Sequence, residues 1–142
     1  MDPNNPVVVM CSGGMLAESE GRAAEAKKLF ERAWQAATDD YEACIAAHYL
    51  ARHQETREQT LAWNEESLRR AERVGDERVT GFLPSLYLNL GHSHEELGDA
   101  EKARAYYLLA EEHLTAVPGG DYGDMVRGGV ARALERTESS GS

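Results

Sequence analysis

Apolar residues recur every three to four positions from Met15 to Arg136, as at Ala26, Leu29, Phe30, Ala33, Trp34 and Ala37. That spacing lines them along one face of a 3.6-residue helix and leaves the rest of the surface polar. The stripe breaks only at short clusters of turn formers: Glu20-Gly21, Thr38-Asp39-Asp40, His53-Gln54-Glu55, Gly75-Asp76, Gly98-Asp99 and Pro118-Gly119-Gly120-Asp121. The pattern predicts seven helices and no strand, over about 6–20, 22–38, 40–53, 55–74, 77–97, 100–116 and 121–136. Loops this short make consecutive helices antiparallel neighbours. Residues 138–142 have nothing to bury and are expected to be a disordered tail, which leaves one domain over 1–137.

An internal repeat underlies the stripe. Gly14, Glu18, Gly21, Ala23, Ala26 and Ala33 have identical partners at Gly91, Glu95, Gly98, Ala100, Ala103 and Ala110, each 77 residues on, and Phe30 meets Tyr107 at the same offset. An offset of this size spans two helical pairs of about 34–45 residues, so a degenerate middle copy is expected around Ala47, Gln54 and Leu68. The spacing has a physical sense. A glycine or alanine in mid-helix (Gly14, Ala47, Gly91) lets the second helix of a pair approach, and glycine between the helices (Gly21, Gly98) takes the left-handed turn conformation. Alanine, aromatic, alanine at i, i+4, i+7 then alternates small and large on one face, so that neighbouring pairs interlock.

At these positions the sequence resembles the tetratricopeptide repeat family, in the form of a short three-repeat protein of the bacterial type. The third copy carries the likeness best, through Tyr87, Leu90-Gly91, Leu97-Gly98-Asp99, Ala103, Tyr107 and Ala110. The first copy matches through Gly14, Gly21, Ala26, Phe30 and Ala33. The middle copy departs, with Gln54 in place of glycine and Thr60, Asn64 and Ser67 in the second-helix pattern, which an extra residue in its turn would explain. The resemblance covers roughly residues 7–118. It implies an all-α, right-handed superhelical array of antiparallel helix hairpins, three repeats plus a solvating C-terminal cap.

Charge and composition narrow the function. Twenty-five acidic against fifteen basic side chains give a formal charge of −10, which repels nucleic-acid backbones and anionic membranes. No apolar run approaches the roughly 20 residues of a membrane span, and Met1 to Pro6 lack the basic start of a signal peptide, so a cytoplasmic protein is expected. The one stretch that could lead into a phosphate loop is Val7–Gly14, which resembles the opening of a pyrophosphatase-type Ser-Gly-Gly loop. Leu16 and Ala17 stand where that loop needs its Asp-Ser pair, and Asn5 followed by Pro6 starts a helix instead. Glu65-Glu66, Glu95-Glu96 and Glu111-Glu112 are adjacent on helices and diverge by about 100°, and no nucleophile elbow or metalloprotease motif is present. The chain is therefore expected not to be an enzyme, and no cofactor is expected.

Family resemblance places one inner surface on the first helix of each pair, at Cys11, Met15, Tyr41, Cys44, His48, Arg52, Leu88, Asn89, His92 and Glu96. Cys44 and His48 at i, i+4 could share a soft metal with Cys11 or His92, yet free cysteines are commonly plain buried residues, and no metal is expected. Members of the family often use an asparagine at the place of Asn89 to hold a ligand backbone. The expected function is a non-enzymatic scaffold that binds a protein or peptide partner, one carrying positive charge, through Tyr41, His48, Arg52, Leu88, Asn89, His92 and Glu96. The alternative is a ligand-gated regulator whose groove takes a small molecule, signalling peptide or metal. Val7, Val8 and Met10 on the terminal helix leave room for a homo-oligomer as well.

Overall fold

The computed structural model describes residues 3–140 and contains no strand among them. Its helices are α1 (Pro6–Ser19), α2 (Ala23–Ala36), α3 (Asp40–Leu50), α4 (Arg57–Val74), α5 (Glu77–Thr80), α6 (Leu83–Glu96), α7 (Ala100–Glu112) and α8 (Asp121–Ser140), with 3₁₀ turns at Ala51–His53 and Leu114–Ala116. The all-α helical repeat read from the sequence is what the chain builds. Among the described residues there are eight α-helices rather than seven, because the stretch expected over 77–97 breaks at Gly81 and Phe82. Pro84 opens α6 and lacks the N–H that a continuous helix would use, while the Phe82 N–H turns back to the Val79 carbonyl at 2.9 Å. At the other end α8 runs through 138–140, past the predicted stop at 136. Thr137 explains one further turn: its side chain is 2 % exposed and its hydroxyl donates to the Ala133 carbonyl at 2.8 Å. Residues 141–142 of the expected tail lie outside the described residues.

The chain forms two compact units, Met1–Arg73 and Val74–Ser142. In the first, the Asn5 side chain accepts the Val7 N–H at 2.8 Å and Pro6 occupies the first turn, so Val7–Met10 is helical and no strand precedes Ser12-Gly13-Gly14. α1 and α2 close on each other at Gly14. A Cβ there would lie within 2.8 Å of three ring carbons of Phe30, which is fully buried. Gly21 has φ +77°, and the Arg22 N–H reaches the Ala17 carbonyl at 2.8 Å, ending α1 in a left-handed cap. α3 lies beside α1 in the same direction, tied at its start by Asn5 to Glu42 (2.7 Å) and at its end by Glu18 to His53 (2.6 Å). Ile45, Ala46 and Leu50 complete a core with Val7, Cys11, Ala26, Phe30 and Ala33, and Tyr49 stacks on Phe30 at 5.1 Å.

The degenerate copy is α3 and α4. A 3₁₀ turn and residues 54–56 separate these helices, the lengthened turn that the shifted pattern calls for. Asn64 and Ser67 are both buried, standing where the second-helix positions of that pattern place them. Ser67 makes use of its hydroxyl, which donates to the Cys44 carbonyl at 2.9 Å and satisfies a group that alanine would not carry. Trp63 of α4 meets Trp34 of α2 edge-on at 5.0 Å, and Arg70 covers the Trp34 ring at 5.4 Å while bonded to Glu66 and Asp40.

In the second unit the same plan returns 77 residues later. A Cβ on Gly91 would lie within 2.8 Å of three ring carbons of the buried Tyr107, Gly98 has φ +84°, and the Asp99 N–H reaches the His94 carbonyl at 2.8 Å. α8 seals this pair with Val126, Val130 and Ala133, spaced so that all three share one face. Rings of His94, Tyr106, Tyr87 and His113 follow one another along α6 and α7 at 5.2–6.4 Å.

Candidate functional site

The expected surface residues divide between the two units, Tyr41, His48 and Arg52 in the first and Leu88, Asn89, His92 and Glu96 in the second. Within each first helix their positions separate by distance from the small residue. Met15, His48 and His92 directly follow Gly14, Ala47 and Gly91, and the His92 ring meets Tyr107 of the hairpin partner edge-on at 5.6 Å. Met15 is 45 % exposed, and His92 and Glu96 are exposed as well. Cys11, Cys44 and Leu88 precede the same small residues by three, so they share the inward face. Cys11 and Cys44 are buried, and Leu88 is half-buried against Tyr107, Ala110 and Val130. The expectation that Cys11 and Cys44 line an open surface is thereby corrected, while Leu88 keeps partial exposure.

Burial also sets the cysteine chemistry. It pushes the Cys11 thiol up to about 12 and the Cys44 thiol to about 11, so both are protonated at neutral pH and poor metal ligands or nucleophiles. Cys44 Sγ lies 3.6 Å from Ser67 Oγ. Among the described residues no three His, Cys, Asp or Glu side chains come together as a metal site.

On α3, Tyr41 is half-buried against the core, and His48 meets Tyr49 edge-on at 5.1 Å. Burial, with help from the Arg52 charge, holds the His48 imidazole down to about 4, so it is neutral at physiological pH. Arg52 is exposed, lies over the Tyr49 ring at 5.1 Å and pairs with Glu18 at 3.5 Å.

The second unit adds residues that the sequence pattern did not single out. Arg136 of α8 donates to both carboxylate oxygens of Glu95, at 2.6 and 3.0 Å, and the Tyr107 hydroxyl donates to the same carboxylate. Arg136 holds the Glu95 carboxyl below the usual carboxylate range. Tyr122 bonds Ser85 of α6, and a Cβ on Gly129 would lie 3.1 Å from Leu88, so α8 runs beside α6 along the flank that holds Ser85 and Leu88. Met125, 63 % exposed, falls three residues after Tyr122 and four before Gly129 and shares their edge. The contacts between the helices run through Ser85, Leu88 and Glu95, and the Arg136 charge also acts on His92, so α6 and α8 form one strip that carries Asn89, His92 and Glu96 on the first helix and Tyr122, Met125 and Arg136 on the second. A search for i±4 neighbours of Val126 would have found Tyr122, whereas Met125, one residue before Val126, lies off that face. The Glu95–Arg136 pairing, 41 residues apart, has no local signal.

Residues 84–112, the body of this strip's α6 and its partner α7, match the family model described as tetratricopeptide repeat. The match covers one repeat, about a fifth of the chain, and identifies the α6–α7 pair as similar to a tetratricopeptide repeat. No curated protein and no solved structure matches the chain. A tetratricopeptide repeat suggests a protein–protein interaction module, and the family is typically non-enzymatic. Among the described residues no helix is long and apolar enough to cross a membrane.

Proposed function

We propose that this chain binds an extended segment of a partner protein on the outward edges of its first-type helices, principally the α6–α8 strip. The observation that carries the reading is the composition of that strip. Exposed Met125 and Tyr122 offer apolar anchors beside Asn89, His92 and Glu96, on the repeat that matches the family. Apolar anchors ringed by polar groups are the ordinary make-up of a recognition surface. Met15, Tyr41, His48 and Arg52 form the corresponding edge of the first unit. A chain of net charge −10 favours a partner segment with basic residues, whose capture would be faster at low salt.

The test begins with affinity capture from native extract and ends with binding isotherms for the recovered partner. Asn89→Ala combined with His92→Ala is expected to weaken binding at least about tenfold, or about 1.4 kcal/mol, with the helical signal unchanged. Lys28→Ala, exposed on α2 and not on the strip's own helices, is expected to leave binding as it was. Binding that survives the first variant and fails in the second would overturn the reading.

A further inference from the structure

We propose that Met125 is an oxidation site, at which a peroxide turns the α6–α8 strip from apolar to polar and so lowers its hold on the partner. The loss of binding rests on the strip being the recognition surface, whereas the oxidation itself does not. Two sulfur groups meet a peroxide in a protein, thiols and thioethers. Here the thiols are closed to it. Cys11 and Cys44 are 3 % and 0 % exposed, and burial raises both so far that neither holds a thiolate at neutral pH. A thioether has no proton to lose, so its oxidation follows access. Among the described methionines Met10 is half-buried against the core, Met15 is 45 % exposed and Met125 is 63 % exposed.

The helix itself keeps Met125 open. A helical side chain leans toward the N-terminus and covers the turn before its own Cα, so along α8 the residues placed to cover Met125 are 128 and 129. Both are glycine. Gly129 has a steric reason, since a Cβ there would lie 3.1 Å from Leu88 Cδ2. Gly128 has none: the nearest atom is Arg132 Nη1, at 3.0 Å, the far end of a flexible side chain. Glycine inside a helix is destabilising relative to alanine, and nothing in the packing around residue 128 offsets that. What the glycine leaves is an uncovered thioether.

The step is a two-electron oxygen transfer. The Met125 sulfur donates a lone pair to one oxygen of hydrogen peroxide, the S–O bond forms as the O–O bond breaks, and the proton on the transferred oxygen passes to the departing hydroxide, which leaves as water. Sulfur is oxidised to the sulfoxide and the peroxide is reduced. A flexible apolar side chain thereby becomes polar. Met125 and Tyr122 are the apolar anchors of the strip, so one of the two is lost, and an exposed Met125 carries no core packing that its oxidation could disturb.

The whole chain is treated with hydrogen peroxide and each methionine is followed by peptide mass spectrometry. Sulfoxide is expected to form fastest at Met125, then at Met15 and last at Met10, with unchanged circular dichroism. Gly128→Leu, which lays a side chain over the thioether, is expected to slow Met125 at least about threefold and leave Met15 as it was. At a peroxide dose that converts Met125 and spares Met15, the partner recovered by affinity capture is expected to bind at least about fivefold more weakly, with affinity restored by methionine sulfoxide reductases A and B. Met125→Leu is expected to give the same isotherm before and after that dose. Met125 reacting no faster than Met10 overturns the proposal, as does a Met125→Leu chain that still loses binding to peroxide. Undiminished binding by the Met125 sulfoxide overturns it as well, and the Asn89→Ala, His92→Ala double variant then separates the two claims: weak binding by that variant keeps the strip as the recognition surface, and normal binding removes both.

Discussion

In α1/α2 the ring that rests on the mid-helix glycine is Phe30, and the glutamate at the end of the first helix, Glu18, receives His53 and Arg52. In α6/α7 the ring is Tyr107, and the equivalent Glu95 receives the ring's own hydroxyl together with Arg136. Both pairs share the glycine under the ring and the left-handed glycine at the turn. They differ in how the last-turn carboxylate is satisfied. The comparison separates what makes a hairpin, a steric contact between backbone and ring, from what joins the hairpin to the helix that follows. The latter is an ion pair between partly exposed groups, which orients side chains and contributes about 0–1 kcal/mol.

The steric contact is the larger quantity and the first to break. Gly14→Leu and Gly91→Leu each place side-chain atoms where a ring already sits, with an expected cost of about 1–3 kcal/mol or more in urea unfolding. Gly13→Ala is the control, because its Cβ would meet only Leu29 Cδ1, at 3.5 Å. If the two pairs are one plan, the two leucine variants cost alike. A Gly14→Leu midpoint equal to wild type would mean that the first pair is held by α3 alone and the shared plan is a coincidence of sequence.

A pH scan sharpens the contrast between the units. His48 has a folded-state pKa near 4, below the ordinary 6.5, because burial and Arg52 disfavour its charged form. As pH falls the unfolded chain takes up this proton first, so the stability tied to neutral His48 is present above about pH 6.5 and is lost between there and about pH 4. His92 is also lowered, by burial and then Arg136, but Glu95 and Glu96 oppose the shift. His48→Gln is therefore expected to flatten the dependence of the urea midpoint between pH 7.5 and pH 5 more than His92→Gln. Equal effects would mean that the two imidazoles share one environment.

These contrasts also show what the sequence could carry. The hairpins were legible because Gly14, Gly21, Gly91 and Gly98 answer to constraints that no other residue meets, and because Asn5-Pro6 is a local start signal. The inward turn of Cys11 and Cys44 was misjudged by a fraction of a helical turn. Three residues before the glycine is still the glycine's face, and the open edge begins one residue after it. Gly81 and Pro84 were a local break signal within 77–97 that the surrounding apolar periodicity overrode in the reading. The strip's α8 residues depend on Arg136 finding Glu95, which is a matter of tertiary packing.

The smallest expected effect concerns the one oxygen by which the two rings differ. Tyr107→Phe keeps the ring on Gly91 and removes the hydroxyl that donates to Glu95, while Arg136 remains on that carboxylate. The expected loss is about 1 kcal/mol, the ordinary net worth of a hydrogen bond. Part of it depends on pH. Arg136 first, and Tyr107 after it, hold the Glu95 carboxyl below its ordinary value, so its contribution is present above about pH 4.3 and is lost as pH falls through the lowered pKa. Removing the hydroxyl brings that pKa back toward the ordinary value and makes the acid loss smaller. The reciprocal Phe30→Tyr adds a hydroxyl near a carboxylate that His53 already engages at 2.6 Å, and is expected to gain close to nothing. If Phe30→Tyr instead stabilised the chain as much as Tyr107→Phe weakened it, Glu18 would have acceptor capacity to spare. The His53 contact would then be incidental, and the two pairs would differ in sequence without differing in design.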